Sequence, residues 1–223
     1  VLTDTSVVEL DTATGAATRV FGGLSTENAD LAIAPDGKRV YASSLYGGII
    51  YTIDVRTGTI DSRPMSVNVI GLAVSSDSAK LYFGTVWSGS EQIRVVDLGT
   101  GAVSQIPLPT PRGIDDLVVT PDGKRAYAFT SLNGVIVIDT ETDAVITVID
   151  VPFSALVDIA VSADGRWVHV ISIEGTLYTI STATNTIAVR GATGAAFSQG
   201  IAVAPDGSAV YEVVALRTDP VTY

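Results

Sequence analysis

The sequence predicts an all-β protein made of repeated units of four short antiparallel strands. A turn of the Pro-Asp-Gly type recurs every 41 to 45 residues, centred on Asp36, Asp77, Asp122, Asp164 and Asp206. Five residues after each of these aspartates stands an aromatic ring, in Tyr41, Tyr82, Tyr127, His169 and Tyr211. No segment has the apolar period of a helix, and turns at such short intervals are typical of all-β proteins.

Within each unit, the first strand is an apolar quartet that ends at the turn, as in residues 31–34 and 117–120. Apolar residues on both faces indicate a strand that is covered on both sides. Proline presets φ, aspartate bonds the backbone and glycine accepts positive φ, so that the chain reverses into a second strand carrying the aromatic ring.

A second turn follows the third strand. That strand ends in Asp11, Asp54, Asp97, Asp139 or Ser181, and four residues later stands a residue that tolerates positive φ, namely Gly15, Gly58, Gly101, Asp143 or Asn185. Such residues favour a tight hairpin into a fourth strand. Four-stranded units of about 40 residues are the signature of β-propeller blades.

Composition limits the classes of function. The chain has 223 residues, a formal net charge of −11 and no cysteine. The negative charge argues against binding to nucleic acid, and the lack of cysteine excludes disulfides, thiolate nucleophiles and cysteine-ligated metals. The longest apolar run, residues 69–74, is far shorter than the ~20 residues of a membrane helix, so we expect no membrane insertion. Lacking an initiator methionine and a signal segment, the chain is expected to be a mature fragment or an excised domain.

The repeat resembles a known family. The segments LAIAPDGKRVYA at residues 31–42 and IDVRTG at residues 53–58 are similar to the YVTN-type propeller repeat, and the resemblance covers nearly the whole chain. It implies a propeller of the kind found in surface-layer and other extracytoplasmic proteins, where relatives are usually seven-bladed. Some related propellers are lyases or lactonases that use a cation bound by carboxylates.

The repeat predicts one propeller domain of five blades. The blades cover about residues 29–66, 69–110, 114–153 and 156–195, and the fifth combines residues 199–215 with residues 6–22. Residues 6–11 match a third strand and residues 209–215 a second strand. We therefore expect these two segments to pair and close the ring, which removes exposed sheet edges. The alternative is an excerpt of a larger ring, whose two ends stay unpaired.

Binding residues are expected on the face that carries the second-to-third loops and the connections between blades, because these vary in length. At the start of the first strand, three blades place a carboxylate at the same position, in Asp30, Asp116 and Asp158, with Asp115 beside one of them. The functional interpretation is a ligand or metal site, and oxygen ligands alone would suit Ca²⁺. The structural interpretation is that each aspartate bonds the backbone of its own loop.

Four further residues are candidates. Trp87 and Tyr46 occupy second-to-third loops of neighbouring blades and would form either an aromatic platform for a ligand or the base of the loops. Arg112, in a connection between blades, would meet an anionic ligand. His169 is the only histidine, but it occupies the tyrosine position of the repeat, so we expect it to be structural.

Two functions follow. The first is a non-catalytic extracytoplasmic propeller that acts as a binding or scaffold module for a protein or small ligand. The second is an enzyme of the lyase, lactonase or isomerase type that uses carboxylates at the mouth of the central channel, with a divalent cation. The sequence lacks the nucleophile elbow, the phosphate-binding loop and the zinc-binding His-Glu-x-x-His motif, which favours the first.

Overall fold

The computed structural model describes residues 1–3, 5–25, 30–86, 92–109, 113–130, 134–152, 155–194 and 197–215. These residues form twenty strands in six antiparallel sheets, and none of them lies in a helix. The part of the chain that is described therefore contains no helix that could span a membrane. The all-β prediction is confirmed.

Four of the sheets have four strands each, which pair in the order of the chain. Blade 1 contains β3 (Leu31–Ile33), β4 (Arg39–Ser44), β5 (Ile49–Asp54) and β6 (Ile60–Pro64). Blade 2 contains β7 (Asn68–Val74), β8 (Lys80–Val86), β9 (Ile93–Asp97) and β10 (Val103–Ile106). Blade 3 contains β11 (Ile114–Val119), β12 (Arg125–Thr130), β13 (Gly134–Asp139) and β14 (Ala144–Asp150). Blade 4 contains β15 (Leu156–Val161), β16 (Trp167–Ser172), β17 (Thr176–Ser181) and β18 (Thr186–Ala192).

The two ends of the chain each form a two-stranded sheet. The N-terminal hairpin contains β1 (Ser6–Leu10) and β2 (Ala17–Gly22). The C-terminal hairpin contains β19 (Ser198–Val203) and β20 (Val210–Val214). Four full blades and two half blades agree with the predicted count of five.

The expected pairing of residues 6–11 with residues 209–215 is wrong, because β1 and β20 belong to separate sheets. The edge of β1 that faces away from β2 is already occupied by residues 1–3. Leu2 forms a bridge with Val7, and the N–H of Val8 donates to the carbonyl of Val1 over 2.7 Å. A strand edge bonds one partner at a time, so this turn back of the N-terminus takes the place predicted for β20.

Both predicted turns form in every repeat. In the first turn, Gly37 has φ of +69°, and its N–H donates to the carbonyl of Ala34 over 2.8 Å. In the second turn, the carboxylate of Asp54 accepts hydrogen bonds from the N–H and the hydroxyl of Thr57, over 2.7 and 2.9 Å. Asp143 and Asn185 take the positive φ that glycine has in the other repeats. The turns thus satisfy their own polar groups.

Apolar side chains pack mainly between blades. One cluster joins Tyr41 and Ile50 of blade 1 to Leu72 and Phe83 of blade 2, and similar clusters join blade 2 to blade 3 and blade 3 to blade 4. The first strands of consecutive blades, β3, β7, β11, β15 and β19, contact one another. These inner strands carry the aspartates at their upstream ends and bring them together.

Candidate functional site

Two of the inner-strand carboxylates, Asp116 and Asp158, lie next to β-bulges. The pairing of first and second strands shifts register between Ile114 and Asp116 in β11, and between Leu156 and Asp158 in β15. Register shifts also occur in β19, between Ser198 and Gly200, and in β7, between Ile70 and Leu72 on either side of Gly71. A bulge re-aims the side chain beside it, which here turns the aspartates toward the neighbouring blade.

Two of the aspartates fasten one blade to the next. Asp30 accepts a hydrogen bond from the N–H of Leu31 over 2.7 Å and, with its other oxygen, from the N–H of Leu72 in blade 2 over 2.5 Å. Asp158 does the same with Ile159 over 2.7 Å and with Ile201 of the C-terminal hairpin over 2.6 Å. Both carboxylates therefore bridge two inner strands through backbone amides.

Glycine stands where such a carboxylate reaches the next blade. Gly71 precedes Leu72 and Gly200 precedes Ile201, each of which donates the amide to the bridging carboxylate. A Cβ atom on Gly200 would lie 3.1 Å from Oδ2 of Asp158. Gly71 also has φ of +59°, and a Cβ atom there would lie 2.8 Å from Cα of Asp116. The glycines leave the room that the bridging contacts require.

Asp116 meets a different partner. Its Oδ1 accepts from the N–H of Leu117 over 2.7 Å, but the next blade offers Asp158 instead of a glycine. The two carboxyl groups are in hydrogen-bond contact. Burial, together with the charges of Asp30 and Asp158, raises the pKa of Asp116 well above its usual range. The raised pKa favours the protonated form of Asp116 beside Asp158.

Asp30 and Asp116 lie close together around Gly71: Asp30 bonds the N–H of Leu72, and a Cβ atom on Gly71 would lie 3.2 Å from Oδ1 of Asp116. In the part of the chain that the structure describes, no three histidine, cysteine or acidic residues are arranged to hold a metal ion. Five of the six carboxylate oxygens of Asp30, Asp116 and Asp158 face backbone N–H donors along the inner strands. Hydrogen-bond donors on those oxygens compete with a cation for the same lone pairs, so the geometry gives the predicted Ca²⁺ site no support.

Asp115 differs from its neighbours. It is half-buried on β11, and burial raises the pKa of its carboxyl to about 6. Among the residues that the structure describes, no hydrogen-bond donor meets this carboxylate. A desolvated carboxyl group that meets no donor among the described residues is suited to bind a cationic or hydrogen-bonding ligand.

The remaining candidates are placed as follows. Tyr46 lies in the loop between β4 and β5 and is 58% exposed. Trp87 and Arg112 lie outside the described residues, so the aromatic platform and the anion contact remain predictions. His169 is buried on β16, where its Nδ1 is 3.0 Å from the hydroxyl of Thr179, and burial lowers its pKa. Its place in the core agrees with a structural role.

Sequence reasoning missed a second set of contacts between blades, on the turn side. The hydroxyl of Tyr82 donates to Oδ1 of Asp143 in the next blade over 2.9 Å, and Tyr127 donates to Oδ1 of Asn185 over 2.7 Å. Lys80 also contacts Oδ2 of Asp143 at 2.8 Å. A signal was present, because the second turn carries Asp or Asn in place of Gly only in blades 3 and 4, which follow these two tyrosines.

A cleft opens beside these contacts, between blades 2 and 3. Its volume is about 600 Å³, and its lining includes Asp77, Lys80, Tyr82, Lys124 and Glu141. Acidic and basic side chains both line its walls. The hydroxyl of Tyr82 and the ammonium of Lys80 already form hydrogen bonds with Asp143. The cleft is therefore a polar seam between blades.

The fold and the inner carboxylates define a β-propeller. The chain is similar to hydrazine synthase of Kuenenia stuttgartiensis, with a TM-score of 0.76 and 23% identity, over 86% of this chain and 57% of that one. It is also similar to the β-propeller domain of Cps50 (Swd1) of Myceliophteria thermophila, with a TM-score of 0.81 and 16% identity, over 95% of this chain and 73% of that one. These identities show the fold alone. No family model and no curated protein matches the chain.

Proposed function

We propose that the protein is a non-catalytic, extracytoplasmic propeller that binds a protein or a small ligand at the face carrying the second-to-third loops. The proposal rests on the environment of the Asp115 carboxylate. This residue lies at the upstream end of an inner strand, on the side of those loops, and its carboxylate has no partner among the described residues. Its neighbours Asp30 and Asp158 instead hold the blades together.

Charge favours a cationic partner. The chain carries a net charge of −11, and the carboxylates of the turn side are bonded within their own turns, as Asp54 and Asp97 are. Because no donor among the described residues meets it, Asp115 can form a charge-assisted hydrogen bond with an ammonium or guanidinium group. A negative protein surface also speeds the encounter with a positive partner.

Binding should depend on pH. The pKa of Asp115 is raised to about 6, so its carboxylate gains charge as the pH rises through that value. Affinity for a cation should therefore increase between pH 5 and pH 7. Since a cation stabilises the ionised form, the bound state should also show a lower pKa at this group.

A lysine decamer is a suitable probe, with the same peptide acetylated on every side chain as the neutral control. Isothermal titration calorimetry at pH 5 and pH 7 should show tighter binding of the decamer at pH 7. Asp115→Asn should weaken that binding by about 3- to 10-fold and remove its pH dependence. Asp61→Asn, on the exposed edge of β6, removes the same charge and should leave both unchanged. Equal losses in the two variants would contradict a role for Asp115.

An extracytoplasmic location is supported by the absence of cysteine, the acidic composition and the resemblance to YVTN-type repeats. An antibody raised against the chain should detect it in the envelope or culture fluid after fractionation of the source cells. Detection in the cytosolic fraction alone would contradict this part of the proposal without affecting the binding measurement.

A further inference from the structure

Two of the seams between successive blades contain the same polar contact. Between blades 2 and 3, the carboxylate of Asp143 accepts hydrogen bonds from the hydroxyl of Tyr82 over 2.9 Å and from the ammonium of Lys80 over 2.8 Å. Between blades 3 and 4, Oδ1 of Asn185 accepts from the hydroxyl of Tyr127 over 2.7 Å. Both acceptors stand at the positive-φ position of a second turn. A tyrosine of one blade is thus bonded to a side-chain acceptor of the next blade.

The seam between blades 1 and 2 has the donors of this contact without the acceptor. Tyr41 and Arg39 stand at the repeat positions that a tyrosine and a lysine hold in blade 2. Gly101 stands where blade 3 has Asp143, and it also has a positive φ. Tyr41 is only 1% exposed, and within the described ranges neither its hydroxyl nor the guanidinium of Arg39 has a hydrogen-bond partner. Since the hydroxyl of a buried tyrosine normally finds an acceptor, this seam lacks one.

A pocket of about 250 Å³ takes the place of the missing side chain. Its wall from blade 1 includes Tyr41, Arg39 and Arg63, which lie on one face of the sheet. Nη2 of Arg63 donates to the carbonyl of Gly101 over 2.6 Å, and a Cβ atom on Gly101 would lie 3.5 Å from Nη1 of the same guanidinium. The pocket therefore surrounds the point from which the Asp143 side chain starts in the next seam.

The rest of the lining limits the kind of ligand. Leu81, Val96 and Leu98 of blade 2 make part of the lining apolar. Two carboxylates, of Asp61 and Asp97, also line the pocket, and Oδ1 of Asp97 is bonded within its own turn. Two negative side chains beside the two arginines leave the lining neutral overall. It therefore favours a ligand with a single negative charge over one with two.

We propose that this pocket, the blade 1–2 pocket, binds a small monocarboxylate with a short apolar chain. The ligand carboxylate accepts from the hydroxyl of Tyr41 and the guanidinium of Arg39, as Asp143 accepts from a tyrosine and a lysine in the next seam. The apolar chain contacts Leu98. Such charge-assisted hydrogen bonds are stronger than those between neutral groups. The pocket lies on the turn side, so this proposal is independent of binding at Asp115.

Butyrate is a suitable probe, and butyramide is its uncharged control of the same size. A ligand this small is expected to bind with a dissociation constant of about 1–10 mM, so each compound is added to about 50 mM in amide NMR spectra of the full chain. Ionic strength is held constant with sodium chloride. Butyrate should shift the amide resonances of Leu98 and Gly101, and butyramide should not.

Substitution of single donors tests the role of each side chain. Tyr41→Phe keeps the ring in the seam and removes the hydroxyl, whereas Arg39→Gln removes the charge. Each should raise the dissociation constant of butyrate by about 3- to 10-fold. Tyr211→Phe and Arg56→Gln change exposed residues outside the pocket, so they are the matched controls and should leave the dissociation constant unchanged.

Gly101→Asp supplies the acceptor from the chain itself. Because Gly101 already has the positive φ that Asp143 has in blade 3, the new carboxylate should fill the pocket and abolish the butyrate shift of Leu98. Gly15→Asp makes the same change in the turn of the N-terminal hairpin, where a Cβ atom meets nothing within 4 Å, and should leave that shift intact. Gly101→Asp should also have the higher urea midpoint of the two variants, and the difference should shrink in the Tyr41→Phe background.

The outcomes separate a carboxylate site from an ordinary surface cleft. The proposal is overturned if butyrate shifts neither amide resonance, if butyramide shifts both equally, or if the butyrate shift of Leu98 persists in Gly101→Asp. A urea midpoint for Gly101→Asp no higher than that of Gly15→Asp would equally contradict an unfilled acceptor position in this seam.

Discussion

The contact between Asp116 and Asp158 should make the protein less stable as the pH rises above about 4. Burial and neighbouring charge raise the pKa of Asp116 in the folded state, and burial raises that of Asp158. The folded state therefore keeps a proton that the unfolded chain has released. The contact gives its full stabilisation at pH values below the pKa of aspartate in the unfolded chain, near 3.9. This stabilisation is lost as the pH rises through the pKa of Asp116 in the folded state.

The magnitude follows from the number of protons. Where the folded state holds one more proton than the unfolded chain, the free energy of unfolding falls by about 1.4 kcal/mol per pH unit. Carboxylates of the turns, such as Asp54 and Asp139, have lowered pKa values and act in the opposite direction, but only below about pH 4. Stability should thus have a maximum near pH 4.

Asp116→Asn tests this reasoning, because the amide can donate the hydrogen bond to Asp158 at every pH. Urea unfolding is followed by circular dichroism between pH 5 and pH 8.5, with Asp61→Asn as the control for loss of one exposed charge. The wild-type chain should lose stability across this range, and Asp116→Asn should have a shallower slope and a higher urea midpoint at pH 8. Parallel slopes for wild type and Asp116→Asn would refute a proton shared at this seam.

Three further predictions concern the seams between blades. Tyr127→Phe removes the hydrogen bond to Asn185 and should lower the free energy of unfolding by about 1 kcal/mol in urea titrations. In the Tyr127→Phe background, Asn185→Gly should lower this free energy little further. Fully additive losses from the two substitutions would contradict the hydrogen bond. His169→Tyr restores the residue found at the other repeats and should leave the melting temperature equal or higher, while a clear decrease would show that the imidazole contact with Thr179 is required. Gly71 has a positive φ, and Gly71→Ala puts a Cβ atom 2.8 Å from Cα of Asp116, so this substitution should destabilise the folded protein by about 2–4 kcal/mol. Gly200→Ala should destabilise it less, because the added Cβ atom meets only Oδ2 of Asp158. Equal urea midpoints for the two alanine variants would contradict this account.

The repeat was sufficient to predict the strands, both turns and the four-stranded units. It succeeded because each of these depends on residues close in sequence, such as Asp54 and Thr57 in one turn. The bulges in β11 and β15 were not predictable, since a register shift depends on what the neighbouring blade offers. The aspartates were found as candidates, but their partners Leu72 and Ile201 lie about 42 residues further along the chain.

The error at the chain ends has a similar cause. Repeat matching assigned β1 as a third strand and β20 as a second strand of one blade, but the two lie in separate sheets. It gave no weight to residues 1–3, which match no part of the repeat and nevertheless occupy the edge of β1. Residues 1–3 and β20 compete for the same edge of β1. Closing the short loop from residues 1–3 to β1 costs less conformational entropy than closing the long loop from β20, which favours residues 1–3.

The hydrogen bonds that run from one blade to the next make the protein resemble a short one-dimensional lattice. Each blade is held by its neighbours, and the seams of blade 3 carry the bonds of Tyr82 and Tyr127 on its two sides. In such a chain of units, opening begins at the ends, where a unit has one neighbour, and moves inward. Amide hydrogens of β12 and β13 should therefore exchange with solvent last, and those of β1 and β20 first.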